Sequence, residues 1–230
     1  MESSAGAGEN RAMAQETKET VLGRMTACGV IAVIRAGSTE PLLDVGRALL
    51  AGGVVSIEVT MTTPGALDGI RMMSQHLGGE AIVGVGTVLD AETCRRAISA
   101  GAQYVVSPHF DPQIVSATRE LGKVSMPGAF TPTEILRAWA AGADVVKVFP
   151  SASVGTGFLR DVLAPLPHVK LMPTGGVDPK NAGEWIKAGA VCVGAGGSLM
   201  PKEALAKKDW ATITANARTM VESVRKARAS

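Results

Sequence analysis

Aromatic side chains are scarce in this chain of 230 residues: four Phe, three Trp and one Tyr, 3% of the total. That scarcity argues against an aromatic-rich β-sandwich and leaves aliphatic and alanine packing to build the interior, for which a hydrophobic content of 46% is ample. Cysteine is scarcer still. Cys28, Cys94 and Cys192 form an odd, widely spaced set with no CxxC pair, so neither a disulfide framework nor a zinc site is indicated. Cys192 lies in an apolar run and reads as a small buried hydrophobe. Excess charge is also missing. A formal net charge of +2 and a pI near 8.5, with the basic residues scattered, are too weak to point to nucleic acid. No apolar run approaches membrane length. Residues 1–10 are polar and include Glu2 and Glu9; they have neither the apolar stretch of a signal peptide nor the Arg-rich, acid-poor makeup of a transit peptide. These absences lead us to expect a cytoplasmic protein with no nucleic-acid or membrane partner. Residues 1–13 read as a disordered tail and residues 14–230 as one domain.

Glycine is plentiful, with 27 residues, and it punctuates the chain regularly. Ala-Gly pairs at Ala51-Gly52, Ala100-Gly101, Ala141-Gly142 and Ala188-Gly189 each close an amphipathic stretch and precede an apolar run. Gly78-Gly79 and Gly122 do the same between them. Glycine at such places is expected as a left-handed helix cap. The interval is that of one strand plus one helix. Strands are expected at 30–34, 54–59, 81–85, 103–106, 123–126, 144–148, 168–172 and 191–193, with an extra helix at about 15–28 and a last one at about 210–227. Apolar strands alternating with helices imply a parallel sheet covered on both faces. Eight such units at this length imply the α/β class and a closed (β/α)8 TIM barrel with an additional N-terminal helix. An open doubly wound sheet is the competing fold, but no glycine fingerprint follows the first strand.

Lys147 stands out in Asp144-Val-Val-Lys-Val-Phe-Pro150, which reads as a buried strand. Lysine is almost never left inside such a strand without a reason. Burial disfavours an ammonium ion and frees an amine to attack a carbonyl. The plain alternative is a strand-end lysine that snorkels to water. In a barrel, catalytic groups gather at the carboxyl ends of strands. Those ends carry Arg35, Glu58 with Thr60 and Thr62, Thr87, Ser107-Pro108-His109, Pro127-Gly128, Lys147 with Phe149, Pro173-Thr174-Gly175-Gly176, and Gly194 to Ser198. By strand alternation Glu58, Thr60 and Thr62 share one face, as do Val145, Lys147 and Phe149. A glutamate and a lysine buried at one mouth make an acid/base and a nucleophile; a structural ion pair is the alternative, and such a pair gives little stability. The glycine-rich turns 174–176 and 194–198 follow the last two strands, where barrels commonly hold phosphate on backbone N–H groups, although tight turns alone also account for them. Of the histidines, His76 reads as solvated, His168 lies at a strand start, and His109 at the catalytic face suits a positioning role. No spacing suggests a metal site.

Glu58-Val-Thr, Gly84-Val-Gly-Thr-Val88, Ser107-Pro108, Met126-Pro-Gly128, Val146-Lys-Val-Phe-Pro150 and Pro173-Thr-Gly-Gly176 occur in this order. Together, over about residues 29–201, they resemble the family of 2-keto-3-deoxy-6-phosphogluconate (KDPG) and 4-hydroxy-2-oxoglutarate (KHG) aldolases. The resemblance implies a metal-free class I aldolase, commonly trimeric, with no cofactor and a small keto-acid as its partner. By the same resemblance Lys147 forms a Schiff base and Glu58 moves protons. Thr87 holds the pyruvate carboxylate and Phe149 packs beside the lysine. Thr174, Gly175 and Gly176 line the aldehyde or phosphate end. Pro108 and the last loop, Gly196, Gly197 and Ser198, complete the expected substrate contacts. Thr62 stands where some members of the family carry an arginine, and Arg35 is the cation expected to take over the carboxylate. The last-loop serine stands at Ser198, where the pattern aligns with Gly197, so the choice between phosphorylated and unphosphorylated substrates stays open. Three functions are therefore weighed: a Schiff-base aldolase of KDPG, KHG or a phosphogalactonate-type acid; a phosphate-binding lyase or isomerase in which Lys147 is only a charge; and a non-catalytic scaffold or small-acid binder.

Overall fold

A computed structural model describes residues 16–229; the tail expected at residues 1–13 lies outside them. The first helix, α1 (Lys18–Cys28), starts where the Thr17 hydroxyl accepts from the Thr20 N–H and ends at Gly29, left-handed at φ 74°. It lies across the amino-terminal end of the barrel. Val21 and Met25 enter the interior with Ile31, Ile82, Tyr104, Val106, Val124, Met126, Val145, Met172 and Cys192. Lys18 meets Asp144 at 2.8 Å, and Arg24 donates to the Glu80 carbonyl at 2.8 Å. Both partners stand just before barrel strands, so the helix plugs the floor of the barrel.

Parallel strands β1 (Val30–Ile34), β2 (Ser56–Thr60), β3 (Ile82–Gly86), β4 (Tyr104–Val106) and β5 (Val124–Met126) form one arc, with β9 (Val193–Ala195) on the other side of β1. The second arc is β6 (Gly128–Ala129), β7 (Val146–Val148) and β8 (Leu171–Pro173). Pro127, which has no N–H to donate, separates β5 from β6, and the two act as one wall position. Asp144 N–H donates to the Ser125 carbonyl and Lys147 N–H to the Pro127 carbonyl, both at 2.9 Å, while Thr174 bridges Gly194. These contacts join the arcs into the expected barrel of eight wall positions.

The expected strands are present with shifted ends. The second starts at Ser56 rather than Val54, the seventh wall strand at Leu171 rather than His168, and the last runs Val193–Ala195 rather than 191–193. A continuous apolar run marks a buried strand but not its ends. The caps also differ in part. Gly101, Gly122, Gly142 and Gly189 have positive φ as expected, but Gly52 is right-handed at −87° and Gly53 takes the positive φ at 90°. Gly78 is right-handed as well, at −63°. Gly52 is needed for space instead: a Cβ there would overlap Ala217. Ala217 belongs to the last helix (Trp210–Ala229), which buries Ile213, Ala217, Met220 and Val224 against the helices Leu42–Ala51 and Ala182–Lys187.

Candidate active site

Glu58 and Lys147 project from opposite walls of the barrel. Glu58 is in register with Val33 on β1 and Gly84 on β3, and Lys147 with Gly128 on β6 and Met172 on β8. Both side chains are buried, at 1% and 6% exposure. Both Glu58 oxygens are buried without a hydrogen-bond partner. This is not the contact geometry of a structural ion pair. Burial pushes the Glu58 carboxyl above its ordinary value, while the Lys147 and Arg35 charges, acting through space, pull it back. Buried carboxylates almost always have partners; one left without any, opposite a buried amine, is poised for a bound molecule to complete. The Lys147 Nζ lies 4.9 Å from the centre of the Phe149 ring, as the shared face of β7 requires.

The glycines that face these groups are spatial requirements. A Cβ on Gly86 would overlap the Glu58 carboxylate, and one on Gly194 would overlap the Thr174 hydroxyl. Neither was singled out in the sequence for this reason. The spacing Gly84-Val-Gly86 on the strand beside Glu58 carried the signal, because strand alternation points both glycines inward.

Above this floor, a cavity of about 570 Å³ opens between the ends of β1, β8 and β9. It gathers Arg35, Phe149, Thr174, Gly175, Gly176, Gly196, Gly197 and Ser198 from the expected set, together with Asp178 and Lys202. Lys202 was missed, although Pro201-Lys202 directly follows the last glycine-rich loop. Thr174 is another buried hydroxyl without a partner. Arg35 is exposed and, among the described residues, makes no ion pair; the Thr63 hydroxyl holds the adjoining Ala36 N–H at 3.2 Å and so fixes the loop that carries it. The two glycine-rich turns are tied from behind. Ser151 donates to the Gly175 carbonyl at 2.6 Å and Asn181 to the Gly176 carbonyl at 2.8 Å. Ser198 donates to the Val177 carbonyl at 2.7 Å, which joins the last two loops. The Ser198 hydroxyl is thus bonded within the protein, which leaves its backbone N–H for the expected substrate contact. Among the described residues the N–H groups of Gly176, Gly197 and Ser198 have no acceptor, which suits an anion held by backbone.

Pro108 is placed elsewhere. With His109, Phe110, Phe130, Glu134 and Arg137 it lines a second cavity of about 330 Å³, and Phe149 stands between the two. Thr87 lines neither cavity. It sits half-buried at the end of β3 with φ 58°, a left-handed backbone that a β-branched residue adopts only under constraint. Thr62, exposed at the mouth, bonds the Thr60 hydroxyl at 2.8 Å, in keeping with their shared face. His76 is exposed with Nδ1 2.8 Å from the Met72 carbonyl, and His168 packs edge-on against Trp139 far from the mouth. Among the described residues no three His, Cys, Asp or Glu gather as a metal site, and no helix is long and apolar enough to cross a membrane.

Residues 21–216 match the family model described as KDPG and KHG aldolase. The chain is 34% identical to 2-dehydro-3-deoxy-phosphogluconate aldolase of Treponema pallidum, over 85% of this chain and 93% of the relative. It is also 34% identical to the KHG/KDPG aldolase of Escherichia coli K12, over 87% and 94%. Among solved structures, native KDPGal superposes with a TM-score of 0.82 at 27% identity, covering 87% of this chain and 96% of that one. The KDPG aldolase of Legionella pneumophila, with pyruvate captured as a covalent carbinolamine, gives 0.81 at 29% identity, covering 87% and 97%.

Proposed function

The chain belongs to the KDPG and KHG aldolase family, and from that premise we propose how its own residues carry out the cleavage of KDPG to pyruvate and glyceraldehyde 3-phosphate. The observation that carries the reading is the pair of Lys147 and a partnerless Glu58, both buried and facing each other across the barrel, with Phe149 beside Lys147 lining the open cavity. The neutral Lys147 amine attacks the keto carbon at C2. The carbinolamine hydroxyl takes a proton from the Glu58 carboxyl and leaves as water, giving a protonated imine and a Glu58 carboxylate. Glu58 takes the proton of the C4 hydroxyl as the C3–C4 bond breaks; the bonding electrons pass into the imine and glyceraldehyde 3-phosphate leaves. The resulting enamine takes that proton back from Glu58 at C3, and water hydrolyses the protonated imine to pyruvate and free Lys147, the proton released returning to the Glu58 carboxylate. An amine is needed because a protonated imine accepts the developing carbanion far better than a ketone does; the carboxyl must lie within hydrogen-bond reach of both carbons' protons. The pyruvate captured covalently in the Legionella relative supports this chemistry here.

Arg35 holds the substrate carboxylate through two parallel hydrogen bonds, and Thr87, which lines neither cavity, is assigned the same carboxylate by the family resemblance alone. The free N–H groups of Gly176, Gly197 and Ser198, with Lys202, receive the phosphate. A substrate lacking phosphate, 4-hydroxy-2-oxoglutarate, keeps every contact of the cleavage step and yields pyruvate and glyoxylate; the E. coli relative's name covers both substrates. A phosphogalactonate-type acid is the second reading, favoured by 32% identity to a probable 2-dehydro-3-deoxy-6-phosphogalactonate aldolase of Rhizobium meliloti over 74% of this chain. We place the enzyme in the cytoplasm, in Entner–Doudoroff carbohydrate metabolism, as a homotrimer; a designed cage fused from symmetric oligomeric domains, which superposes with a TM-score of 0.81, supports an oligomer. Pyruvate release from KDPG, its C4 epimer and 4-hydroxy-2-oxoglutarate, assayed side by side, tests the substrate assignment: the KDPG rate is expected to exceed the other two.

A further inference from the structure

The chain's single tyrosine is the largest fully buried side chain among the described residues. Tyr104 lies inside the barrel at 0% exposure, and its hydroxyl has no hydrogen-bond partner. An apolar interior does not need a phenol; phenylalanine has the same shape and no polar atom to satisfy. The ring lies on Gly84, where a Cβ would overlap it, and Gly84 is the register partner of Glu58. Val85 pairs with Val105, so Glu58, Gly84 and Tyr104 form one row across β2, β3 and β4. The missing side chain of Gly84 lets the ring reach across β3 towards β2. Ser56 is two residues before Glu58 on the same inward face, and its hydroxyl is likewise buried and partnerless. Four polar atoms, Ser56 Oγ, Tyr104 OH and both Glu58 oxygens, are thus enclosed in one part of an otherwise apolar interior. Leaving each of them unmade costs far more than leaving the site apolar, and a buried water with two to four such partners is the usual solution.

We propose that Tyr104 is a positioning residue for Glu58, its hydroxyl donating to the carboxylate through one internal water that Ser56 also holds. The donor fixes the carboxylate from below, away from the face that meets substrate, and favours its ionised form against burial. The charged and titratable groups facing Glu58 are Lys147 from β7, Arg35 from the end of β1 and Tyr104 from β4. Those whose charges act on the phenol are Glu58, Cys192 just before β9 and Cys28 at the end of α1. Burial first, and the Glu58 charge after it, push the phenol well above its ordinary value, so Tyr104 stays a donor.

The inference rests on the reading of Glu58 as the acid/base, and one set of variants separates the two. The full chain, labelled with glutamate carrying 13C in the side-chain carboxyl, is titrated by NMR without substrate, and the Glu58 signal is identified by its loss in Glu58→Gln. In Tyr104→Phe the Glu58 midpoint should rise by about one pH unit, the size of one hydrogen bond to a charged group. Ser56→Ala should raise it less, and it also decides the matter should Tyr104→Phe fail to fold. Borohydride capture of pyruvate on Lys147 should stay near wild type in both. A midpoint unchanged or lowered in the two variants overturns the role of Tyr104 and leaves the function of Glu58 standing. The acid limb of kcat/KM should follow the NMR midpoint; a limb that persists in Glu58→Gln overturns the base role itself and with it the catalytic meaning of Tyr104.

Discussion

Gly86→Ala should remove activity while sparing the fold. The three atoms nearest a methyl group built on Gly86 all belong to the Glu58 side chain, with the carboxylate inside contact distance and Cγ at 2.7 Å. The group that must yield is the end of a flexible chain that no protein group bonds directly. Overpacking a core typically costs about 1–3 kcal/mol, and this case belongs at the low end. Alanine also restricts the unfolded chain, which returns roughly 0.4–1 kcal/mol. The net change in Tm should stay within about 2–4 °C for a domain of this size. Catalysis has no such slack: a misplacement of about 1 Å can cost on the order of 10²-fold, and loss of the acid/base itself about 10²–10⁴-fold. The expected kcat for KDPG is therefore reduced by at least about 10²-fold, read from pyruvate release, beside a calorimetric Tm near wild type. Gly84→Ala is the control. It faces the same way two residues earlier, but its methyl would overlap the rigid Tyr104 ring, so it should lower Tm markedly. A Gly86→Ala enzyme with kcat within about tenfold of wild type would show that the carboxylate needs no fixed place opposite Lys147.

Lys147→Ala should abolish turnover with the fold intact, and Lys147→Arg should be equally inactive because a guanidinium stays protonated and cannot attack; steady-state pyruvate release checks both. Glu58→Gln should still form the pyruvate adduct, slowly, with turnover down by about 10²–10⁴-fold; a loss under tenfold would direct attention to His109. The same variant should be more stable than wild type at neutral pH. The folded Glu58 carboxyl holds its proton more tightly than the ordinary value of 4.5, so its contribution to stability is complete below that value and lost as pH rises through the raised one. The Tm difference between the two proteins should thus close at acid pH; a difference independent of pH contradicts the burial of the charge. Arg35→Ala should depress kcat/KM for KDPG and 4-hydroxy-2-oxoglutarate alike, whereas Gly197→Ala, whose methyl meets nothing within 4 Å and enters the cavity, should penalise the phosphorylated substrate. Harm confined to KDPG in Arg35→Ala would reverse the substrate in the barrel.

Much of this was legible in the chain because barrel architecture writes its logic in periods. Alternation placed Glu58, Thr60 and Thr62 on one face and Lys147 with Phe149 on another, and the glycine-closed units set the order of strands. What periodicity does not encode is who meets whom across the barrel. Nothing in the apolar run containing Tyr104 says that its hydroxyl shares an interior with Glu58; that follows from the registers of three strands. Side-chain occupancy is equally silent in sequence. Ser198 looks free to bind an anion until its hydrogen bond to the Val177 carbonyl is seen. Pro108 stands at a strand end like the others, yet opens onto a different cavity. Strand ends shifted because small residues such as Gly194 and Ala195 carry ladder bonds as well as valine does, while hydrophobicity alone does not mark them.

The central claim is that Lys147 is the covalent nucleophile. Incubating the protein with pyruvate and borohydride, then mapping the adduct by peptide mass spectrometry, tests it directly. The account predicts one irreversible pyruvate adduct, on the peptide containing Lys147, and none in Lys147→Ala. No adduct in the wild-type protein, or an adduct of equal yield in Lys147→Ala, would contradict it.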